Sequence, residues 1–337
     1  MPLLKVDRLK THFFVGSPFR RQKTVIRAVD GVSFELERGE TLALVGESGC
    51  GKTTAARSVL RLEEPTAGSA VFDLDGELVS IFDLDKESLR RWRRKAQMAF
   101  QDPFGSLNPR MNVADIVTEG LRIHRLCRPS AKWERAAELL ESVGMDARHA
   151  ALYPHEFSGG QRQRIGIARA LALEPDLIAA DEPVSALDVS AQAQVVNLMQ
   201  DLQERMGLSY LFISHDLSVV RHIADRVAVM YLGKIVETGP KAELYENPVH
   251  PYTKALLSAV PSLDPSAGRS VLRLSGDAPS PANPPSGCAF HPRCPMAEAS
   301  CANAPQTLVN IGGGRAVACH LVTGSEERSH SPRKETK

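Results

Sequence analysis

The sequence predicts an α/β fold, and three segments support that prediction. Residues 41–45 (TLALV) and 177–180 (LIAA) are short apolar runs of the kind that form buried strands. The first run leads through a loop into a helix-compatible segment at 53–62. A third segment, 162–172, has apolar residues that recur with helical spacing. They are Ile165, Ala168, Leu171 and Ala172.

The loop after the first strand has the composition of a phosphate-binding loop. Its glycines let backbone N–H groups close around phosphate oxygens, Lys52 supplies a point charge to the β- and γ-phosphates, and the Thr53 hydroxyl is a hard ligand for Mg²⁺. Its position between a strand and a helix favours a nucleotide site over an ordinary glycine-rich turn. The predicted ATP-binding residues are Gly46, Glu47, Ser48, Gly49, Cys50, Gly51, Lys52, Thr53 and Thr54.

Two adjacent carboxylates, Asp181 and Glu182, follow the second apolar run. Phosphoryl transfer to water needs one group to coordinate a metal ion and another to polarise the attacking water. We assign Asp181 to Mg²⁺ and Glu182 to the water. An acidic turn after a core strand is the alternative interpretation, and the neighbouring motifs disfavour it.

A serine and two glycines open the helix that follows Phe157. A helix start presents free N–H groups and the positive end of the helix dipole to an anion. In this setting Ser158, Gly159, Gly160 and Gln161 resemble the signature motif of ATP-binding-cassette ATPases, with Phe157 in place of the more usual leucine. The resemblance implies that these residues bind the ATP that a partner chain holds on its own phosphate loop.

The resemblance assigns further residues in chain order. Gln101 is similar to the glutamine that reaches Mg²⁺ and the water and also touches a membrane partner. Asp188 is similar to the aspartate of the dimer loop, and His215 to the switch histidine that senses the γ-phosphate. Near the N-terminus, Phe13 resembles the aromatic residue that stacks on adenine, with Phe14 as the alternative. The implied catalytic set is therefore Glu182, His215 and Gln101.

The resemblance also implies a division of the chain. Residues 1–245 would form the ATPase domain, in which an N-terminal antiparallel β subdomain leads into a parallel-sheet core. A helical subdomain would be inserted at about 87–173. Residues 246–323 would form a small cysteine-containing C-terminal extension. Separately, the polar and charged composition of residues 324–337 predicts a disordered tail.

The extension indicates a branch of the family. Residues 246–257 (ENPVHPYTKALL) and 100–110 resemble ATPase subunits of oligopeptide, dipeptide and nickel importers. The resemblance implies the second ATPase subunit of a dipeptide or oligopeptide importer, which works with a homologous but different ATPase chain and two transmembrane permease subunits. An extracytoplasmic solute-binding protein would act indirectly. Import of nickel, glutathione or another small solute is the alternative, because the ATPase does not need to touch the cargo.

Four of the six cysteines, Cys288, Cys294, Cys301 and Cys319, lie near the C-terminus. Such bunching in a cytosolic chain favours a metal site over disulfides. The short Cys-x₂₋₄-Cys spacing of structural zinc sites is absent from the sequence, whereas iron–sulfur clusters accept more varied spacings. The segment 288–294 also resembles the Cys-x-Phe-x-x-Arg-Cys pattern of importer subunits that carry a [4Fe–4S] cluster. We expect such a cluster, with Zn²⁺ or reduced, unliganded thiols as alternatives.

Composition narrows the partners. The net charge of +1 shows no basic excess, so the basic run at 89–95 is interpreted as a solvated helix face and no nucleic-acid partner is expected. No apolar run approaches the ~20 residues of a spanning helix, and the N-terminus lacks a secretory pattern. We therefore expect a peripheral subunit on the cytoplasmic face of the inner membrane. A soluble cassette ATPase outside transport, or a cassette without activity, would be the rival; Glu182 and His215 disfavour the latter.

Overall fold

The computed structural model describes most of the chain. The described residues are 1–16, 24–102, 105–260, 272, 274 and 276–323. The tail predicted at 324–337 lies outside them, as do Pro103 and Phe104 of the segment 100–110 and residues 261–271 of the predicted extension.

The described secondary structure alternates strands and helices through most of its length. The strands are β1 (Leu4–Val15), β2 (Thr24–Leu36), β3 (Thr41–Val45), β4 (Ala67–Leu74), β5 (Glu77–Ser80), β6 (Ala96–Ala99), β7 (Leu177–Asp181), β8 (Ser209–Ser214), β9 (Arg226–Tyr231), β10 (Lys234–Pro240), β11 (Val309–Gly312) and β12 (Arg315–Val317). The helices are α1 (Lys52–Val59), α2 (Lys86–Trp92), α3 (Val113–Val117), α4 (Glu119–Ile123), α5 (Lys132–Ser142), α6 (Gly159–Leu171), α7 (Val189–Met206), α8 (Leu217–Ile223), α9 (Lys241–Glu246) and α10 (Pro251–Ser258). Within the described ranges, no helix combines the length and the apolar character that crossing a bilayer requires.

The strands form two sheets. The first is antiparallel, with the order β2-β1-β4-β5. The second has the order β11-β12-β10-β9-β3-β8-β7-β6, and its pairings from β9 to β6 are all parallel. The predicted α/β fold, with an N-terminal antiparallel subdomain and a parallel core, is confirmed.

Two apolar cores lie on opposite faces of the parallel strands. In β3, Leu42 and Leu44 belong to the core shared with α1 and the antiparallel sheet. The alternate residues Ala43 and Val45 belong to the core shared with α3 and α5 to α8. Because successive side chains point to opposite faces, burial on both sides explains the uninterrupted apolar run. The loops at the carboxyl ends of the parallel strands remain available for a ligand.

The helical insertion begins later in the chain than its predicted span. That span, 87–173, contains β6, which pairs in parallel with β7 at one edge of the core sheet. The polar Gln97 interrupts the four residues of β6, so the sequence contained no apolar run there. The helices α3 to α6 then occupy the stretch from Val113 to Leu171.

The C-terminal extension contributes two strands to the core sheet. β12 pairs with β10, and β11 pairs with β12, so the sheet continues across the predicted boundary at residue 245. Tyr252 of α10 packs against Tyr231 of β9 and against Phe290, with ring centroids 4.7 and 5.3 Å apart. This aromatic contact holds α10 and the cysteine-containing segment against the sheet.

Candidate functional site

The phosphate loop at 46–54 connects β3 to α1 and requires glycine at two close backbone contacts. A Cβ atom on Gly46 would lie 2.2 Å from the carbonyl oxygen of Met230, and one on Gly51 would lie 2.1 Å from that of Ala28. Both glycines also have positive φ angles, 151° and 106°. Any larger residue would push the loop away from the sheet, so these glycines fix its shape.

Lys52 begins α1 and points its ammonium back into the loop. The side chain is 4% exposed, and its Nζ donates hydrogen bonds to the carbonyl oxygens of Gly46 and Glu47 at 2.8 and 3.0 Å. Gly51 precedes the helix and offers no side chain to cap it. The free N–H groups, the helix dipole and the buried ammonium together form an anion site of the kind that binds phosphate.

Thr53 and Asp181 meet beside the loop. The Thr53 hydroxyl donates to Asp181 Oδ1 at 2.7 Å, while the buried Asp181 Oδ2 has no hydrogen-bond partner among the described residues. Burial raises the pKa of Asp181, against the opposing effects of the Thr53 hydrogen bond and of Arg57. A hydroxyl beside a carboxylate with an unused oxygen is the hard donor set that Mg²⁺ prefers. These residues therefore fit the predicted magnesium site, for which Gln101 was the third expected ligand.

Glu182 is held from two sides by the other predicted catalytic residues. Gln101 Nε2 donates to Glu182 Oε2 at 3.0 Å, and His215 Nδ1 lies 2.9 Å from Glu182 Oε1. Glu182 has a φ angle of 45°, a conformation that costs free energy in a non-glycine residue, and its N–H donates to the carbonyl of Ile213 at 2.9 Å. The fold thus brings together three side chains that are far apart in sequence.

A cleft of about 810 Å³ is lined by the phosphate loop and the predicted catalytic side chains. Its walls include the phosphate loop, Gln101, Glu182 and His215. Phe13 also lines the cleft, whereas Phe14 is 60% exposed and does not. Because an aromatic ring beside a phosphate cradle suits stacking on a base, the geometry favours Phe13 over Phe14. The cleft has the size and the mixed lining of a nucleotide site.

The predicted signature motif lies elsewhere on the chain. Ser158 Oγ accepts from the N–H of Gln161 at 3.3 Å, and Gln161 Oε1 accepts from the N–H of Ser158 at 3.0 Å, which makes a capping box for α6. Ser158 and Gly160 line a separate pocket of about 290 Å³. One chain therefore assembles the phosphate loop with the catalytic residues, but does not place its own signature in that cleft.

The dimer-loop aspartate lies close to the signature helix. Asp188 caps α7 by accepting a hydrogen bond from the N–H of Ala191 at 2.9 Å. A Cβ atom on Gly160 would lie 3.4 Å from the Cβ of Ala191, and one on Gly159 would lie 3.2 Å from the side chain of Leu187. The two predicted contact segments for a partner chain thus form one continuous surface.

The four predicted cluster cysteines come close to one another without forming a metal site. Burial raises the pKa of Cys288, and a hydrogen bond with the backbone of Phe290 opposes this effect. The three other thiols, those of Cys319, Cys301 and Cys294, raise the pKa further, so they lie close enough to interact with Cys288 electrostatically. Four converging thiols are the right donors for an iron–sulfur cluster. Yet no group of three or more His, Cys, Asp or Glu residues that could hold a metal ion occurs within the described part of the chain. The described geometry therefore does not support the predicted cluster.

The extension contacts the phosphate loop in a way that the sequence did not predict. The Arg293 guanidinium pairs with both oxygens of Glu47, at 2.7 and 3.0 Å, and the Tyr252 hydroxyl accepts a hydrogen bond from the Glu47 N–H at 2.9 Å. Leu256 and Pro281 of the extension line the nucleotide cleft. The one available signal was the arginine inside the Cys-x-Phe-x-x-Arg-Cys pattern, and its sequence separation of 246 residues from Glu47 concealed the contact.

Comparison with known proteins agrees with this geometry. Residues 29–185 match the family described as "ABC transporter", and residues 236–301 match "Oligopeptide/dipeptide transporter, C-terminal region". The chain is 54% identical over 323 residues to an oligopeptide transport ATP-binding protein of Bacillus subtilis, covering 95% of this chain and 97% of that protein. It is 53% identical over 320 residues to a probable peptide ABC transporter ATP-binding protein of Sinorhizobium fredii, covering 95% and 90%.

Solved structures show the same fold. An ATP-binding cassette, solved as a dimer in a post-hydrolysis state with ADP and phosphate, matches with a TM-score of 0.60 at 28% identity, covering 71% of this chain and 98% of that one. The cbiO1 protein of Clostridium perfringens, part of the ABC transporter complex cbiONQ, matches with a TM-score of 0.62 at 25% identity, covering 73% and 91%.

Proposed function

This chain belongs to the ABC transporter ATPases that carry the oligopeptide/dipeptide C-terminal region, and from that membership we propose that it powers the import of dipeptides or oligopeptides across a bacterial cytoplasmic membrane. The observation that carries the proposal is a phosphate-loop cleft with its catalytic side chains, joined on one sheet to an importer-type extension. Relatives named as peptide and oligopeptide transport ATP-binding proteins support this substrate class.

Each side chain of the cleft has one task in ATP hydrolysis. Lys52 and the loop N–H groups bind the β- and γ-phosphates, and Phe13 stacks on the base. Glu182 accepts a hydrogen bond from the attacking water and orients it for in-line attack, while Gln101 and His215 hold the carboxylate from either side. When bound at Thr53 and Asp181, Mg²⁺ supplies charge neutralisation at the phosphate oxygens.

The signature residues serve a second ATPase chain. Ser158 and Gly160 line a pocket away from the cleft of their own chain, so the start of α6, with the positive end of its helix dipole, can face a nucleotide on a partner. The structural neighbour described as a dimer supports this arrangement. We propose that the partner is a homologous but different ATPase subunit, and that each chain completes the site of the other.

A groove beside Gln101 suits the membrane subunits. Leu62, Phe100 and Ile123 expose apolar surface and line a groove of about 290 Å³ next to the glutamine. Exposed apolar side chains gathered in one groove mark a protein contact. We propose that two transmembrane permease subunits dock here, which places the chain at the cytoplasmic face of the inner membrane, and that a solute-binding protein delivers the cargo to them.

The [4Fe–4S] cluster also belongs to the proposal, with Zn²⁺ as the alternative. Its support is the chemistry of thiolate ligands together with the packing of Cys288 beside Cys301, whose carbonyl accepts a hydrogen bond from the Cys288 N–H at 2.9 Å; Cys294 and Cys319 would supply the other two ligands. The proposed hydrolysis does not depend on the cluster, because Glu182, Gln101 and His215 are held by contacts among themselves.

Reconstitution tests the proposed function. The chain would be purified with its second ATPase and two permease subunits, placed in liposomes, and supplied with ATP and the cognate solute-binding protein. We expect ATP-dependent uptake of labelled dipeptides or oligopeptides. Uptake of nickel or glutathione instead of peptides would show that the proposed substrate class is wrong. Full transport-coupled activity without the permeases would contradict the importer function.

A further inference from the structure

We propose that Arg293 is a positioning residue for the phosphate loop: it holds Glu47 in place and so makes nucleotide affinity depend on the C-terminal extension. The inference rests on ATP being the ligand of the cleft. It assigns a role in the nucleotide site to a residue that lies next to Cys294, far from the loop in sequence.

The pairing between Arg293 and Glu47 is well built. The arginine side chain is 8% exposed and the glutamate side chain 30%, and Arg293 Nη1 donates to Glu47 Oε2 while Nη2 donates to Oε1. The Arg293 guanidinium also lies 5.9 Å from the Tyr231 ring centroid. A planar fork of this kind fixes the orientation of the carboxylate as well as its position, which a lysine ammonium cannot do.

Glu47 is held at its backbone too. The Tyr252 hydroxyl accepts a hydrogen bond from the Glu47 N–H, and the Glu47 carbonyl accepts one from Lys52. The extension therefore contacts both the side chain and the backbone N–H of Glu47. Because Lys52 bonds to the same residue, a displacement of Glu47 also displaces a partner of the phosphate-binding ammonium.

The cysteine-containing segment sets the position of Arg293. The N–H of Arg293 donates to the carbonyl of Phe290 at 3.0 Å, and the fully buried Phe290 ring packs on Tyr231 and Tyr252. Cys288 and Cys294 flank this turn: the Cys288 carbonyl accepts from the N–H of His291, and the Cys294 N–H donates to the carbonyl of His291. Arg293 is thus fixed by an aromatic anchor on one side and bonded to the phosphate loop on the other.

The consequence is a specific effect on ATP binding. A phosphate loop binds only when several N–H groups point at the same oxygens, so a loop that loses one anchor must be ordered by the nucleotide itself. The chemical step depends on Glu182, Gln101 and His215, which Arg293 does not contact. Loss of Arg293 should therefore raise KM much more than it lowers kcat.

The test compares Arg293→Gln and Arg293→Lys with a matched control, Arg315→Gln. Arg315 lies in the same extension with its side chain 13% exposed, but it pairs with Glu237 and not with the phosphate loop. The affinity of each full-length variant for a non-hydrolysable ATP analogue with Mg²⁺ would be measured together with its melting temperature. KM and kcat would be measured in the assembled transporter.

We expect Arg293→Gln to weaken nucleotide binding about tenfold, as the loss of one charge-assisted contact allows, with kcat within about twofold of the wild type. Arg293→Lys should recover part of the affinity. Arg315→Gln should lower the melting temperature and leave affinity within about twofold. Unchanged affinity in a folded Arg293→Gln or Arg293→Lys chain would overturn the proposal.

A double-mutant cycle with Glu47→Gln separates the contact from general damage. If Arg293 acts through Glu47, the double variant should bind ATP about as well as the weaker single variant, within roughly twofold. Independent effects, in which the two losses multiply, would contradict the pairing. A wild-type chain that binds no nucleotide would instead overturn the proposed function, so the two failures are distinguishable.

Discussion

Glu182 combines a strained backbone conformation with a side chain that is held on both sides. Its left-handed backbone conformation is stabilised by the N–H bond to Ile213, and it turns the carboxylate between Gln101 and His215. Strain of this kind persists only where the surroundings fix it. The orientation of the carboxylate is therefore set before any nucleotide enters, which suits the proposed role of Glu182 in orienting one water molecule.

The first prediction concerns Glu182→Gln. An amide cannot take up the role of the carboxylate toward the water, so we expect turnover in the assembled transporter to fall by about 100-fold or more while nucleotide binding is kept. Turnover and equilibrium binding of ATP would be measured side by side. Near wild-type turnover in the variant would show that another group orients the water.

Two comparisons sharpen that test. Lys52→Ala removes the buried ammonium that we assign to the phosphates, so it should weaken ATP binding itself by roughly tenfold or more. Glu204→Gln changes the same chemical group on the exposed side of α7 and should leave binding and turnover unchanged. The opposite signatures of Glu182 and Lys52 distinguish the chemical step from binding.

At the scale of elements, short-range signals predicted helix starts well and strand pairing poorly. Ser158 and Gln161 lie three residues apart, and their capping box depends only on local chemistry, so α6 could be predicted from the sequence. β6 has four residues and β12 has three, which is too few for a periodic pattern. They form strands because they pair with β7 and β10. Neighbours distant in sequence decided those elements.

The start of α10 illustrates a buried cap with a titratable group. His250 is 1% exposed, its Nδ1 accepts from the N–H of Tyr252, and its own N–H donates to Glu237. Burial lowers the pKa of His250 from 6.5 to about 4. The imidazole is therefore neutral in the folded protein at a pH where the unfolded chain would bind a proton.

The second prediction follows for the pH dependence of stability. Between pH 6.5 and about 4 the unfolded state binds the proton and the folded state does not, so the free energy of unfolding should fall by about 3 kcal/mol as the pH drops through this window. His250→Asn keeps a capping oxygen without a titratable ring. The free energy of unfolding would be measured by urea unfolding at a series of pH values. It should depend less steeply on pH in the variant than in the wild type; an equal dependence would assign the acid sensitivity to other groups.

At the scale of the whole molecule, the phosphate-loop cleft and the pocket lined by Ser158 lie apart, as expected if each proposed site needs residues from two chains. The third prediction is that Ser158→Arg leaves ATP binding to this chain unchanged and lowers turnover of the assembled transporter, because the change affects the partner's nucleotide. Ser69→Arg on the exposed part of β4 is the control. Reduced ATP binding by the isolated Ser158→Arg chain would place the signature in its own cleft.

The extension was the part of the molecule least predictable from sequence. Its clustered cysteines are visible in the sequence, but the pairing of β12 with β10 and the contact between Arg293 and Glu47 exist only in the folded chain. A motif reports which residues occur together along the chain. It does not report which distant loop they contact, and here that loop is the one expected to bind phosphate.

The last prediction concerns the four clustered thiols, Cys288, Cys294, Cys301 and Cys319. If they hold a [4Fe–4S] cluster, full-length protein purified without oxygen should be brown and contain about four irons per chain, because each iron takes one thiolate. Cys294→Ser should remove the colour and the iron, and lower the melting temperature, since ligand bonds stabilise a segment too small to build its own core. Cys127→Ser changes a cysteine outside the group and should alter none of these properties. Stoichiometric zinc in a colourless protein would replace the cluster with a zinc site, and metal-free protein with full stability would leave the thiols as reduced side chains.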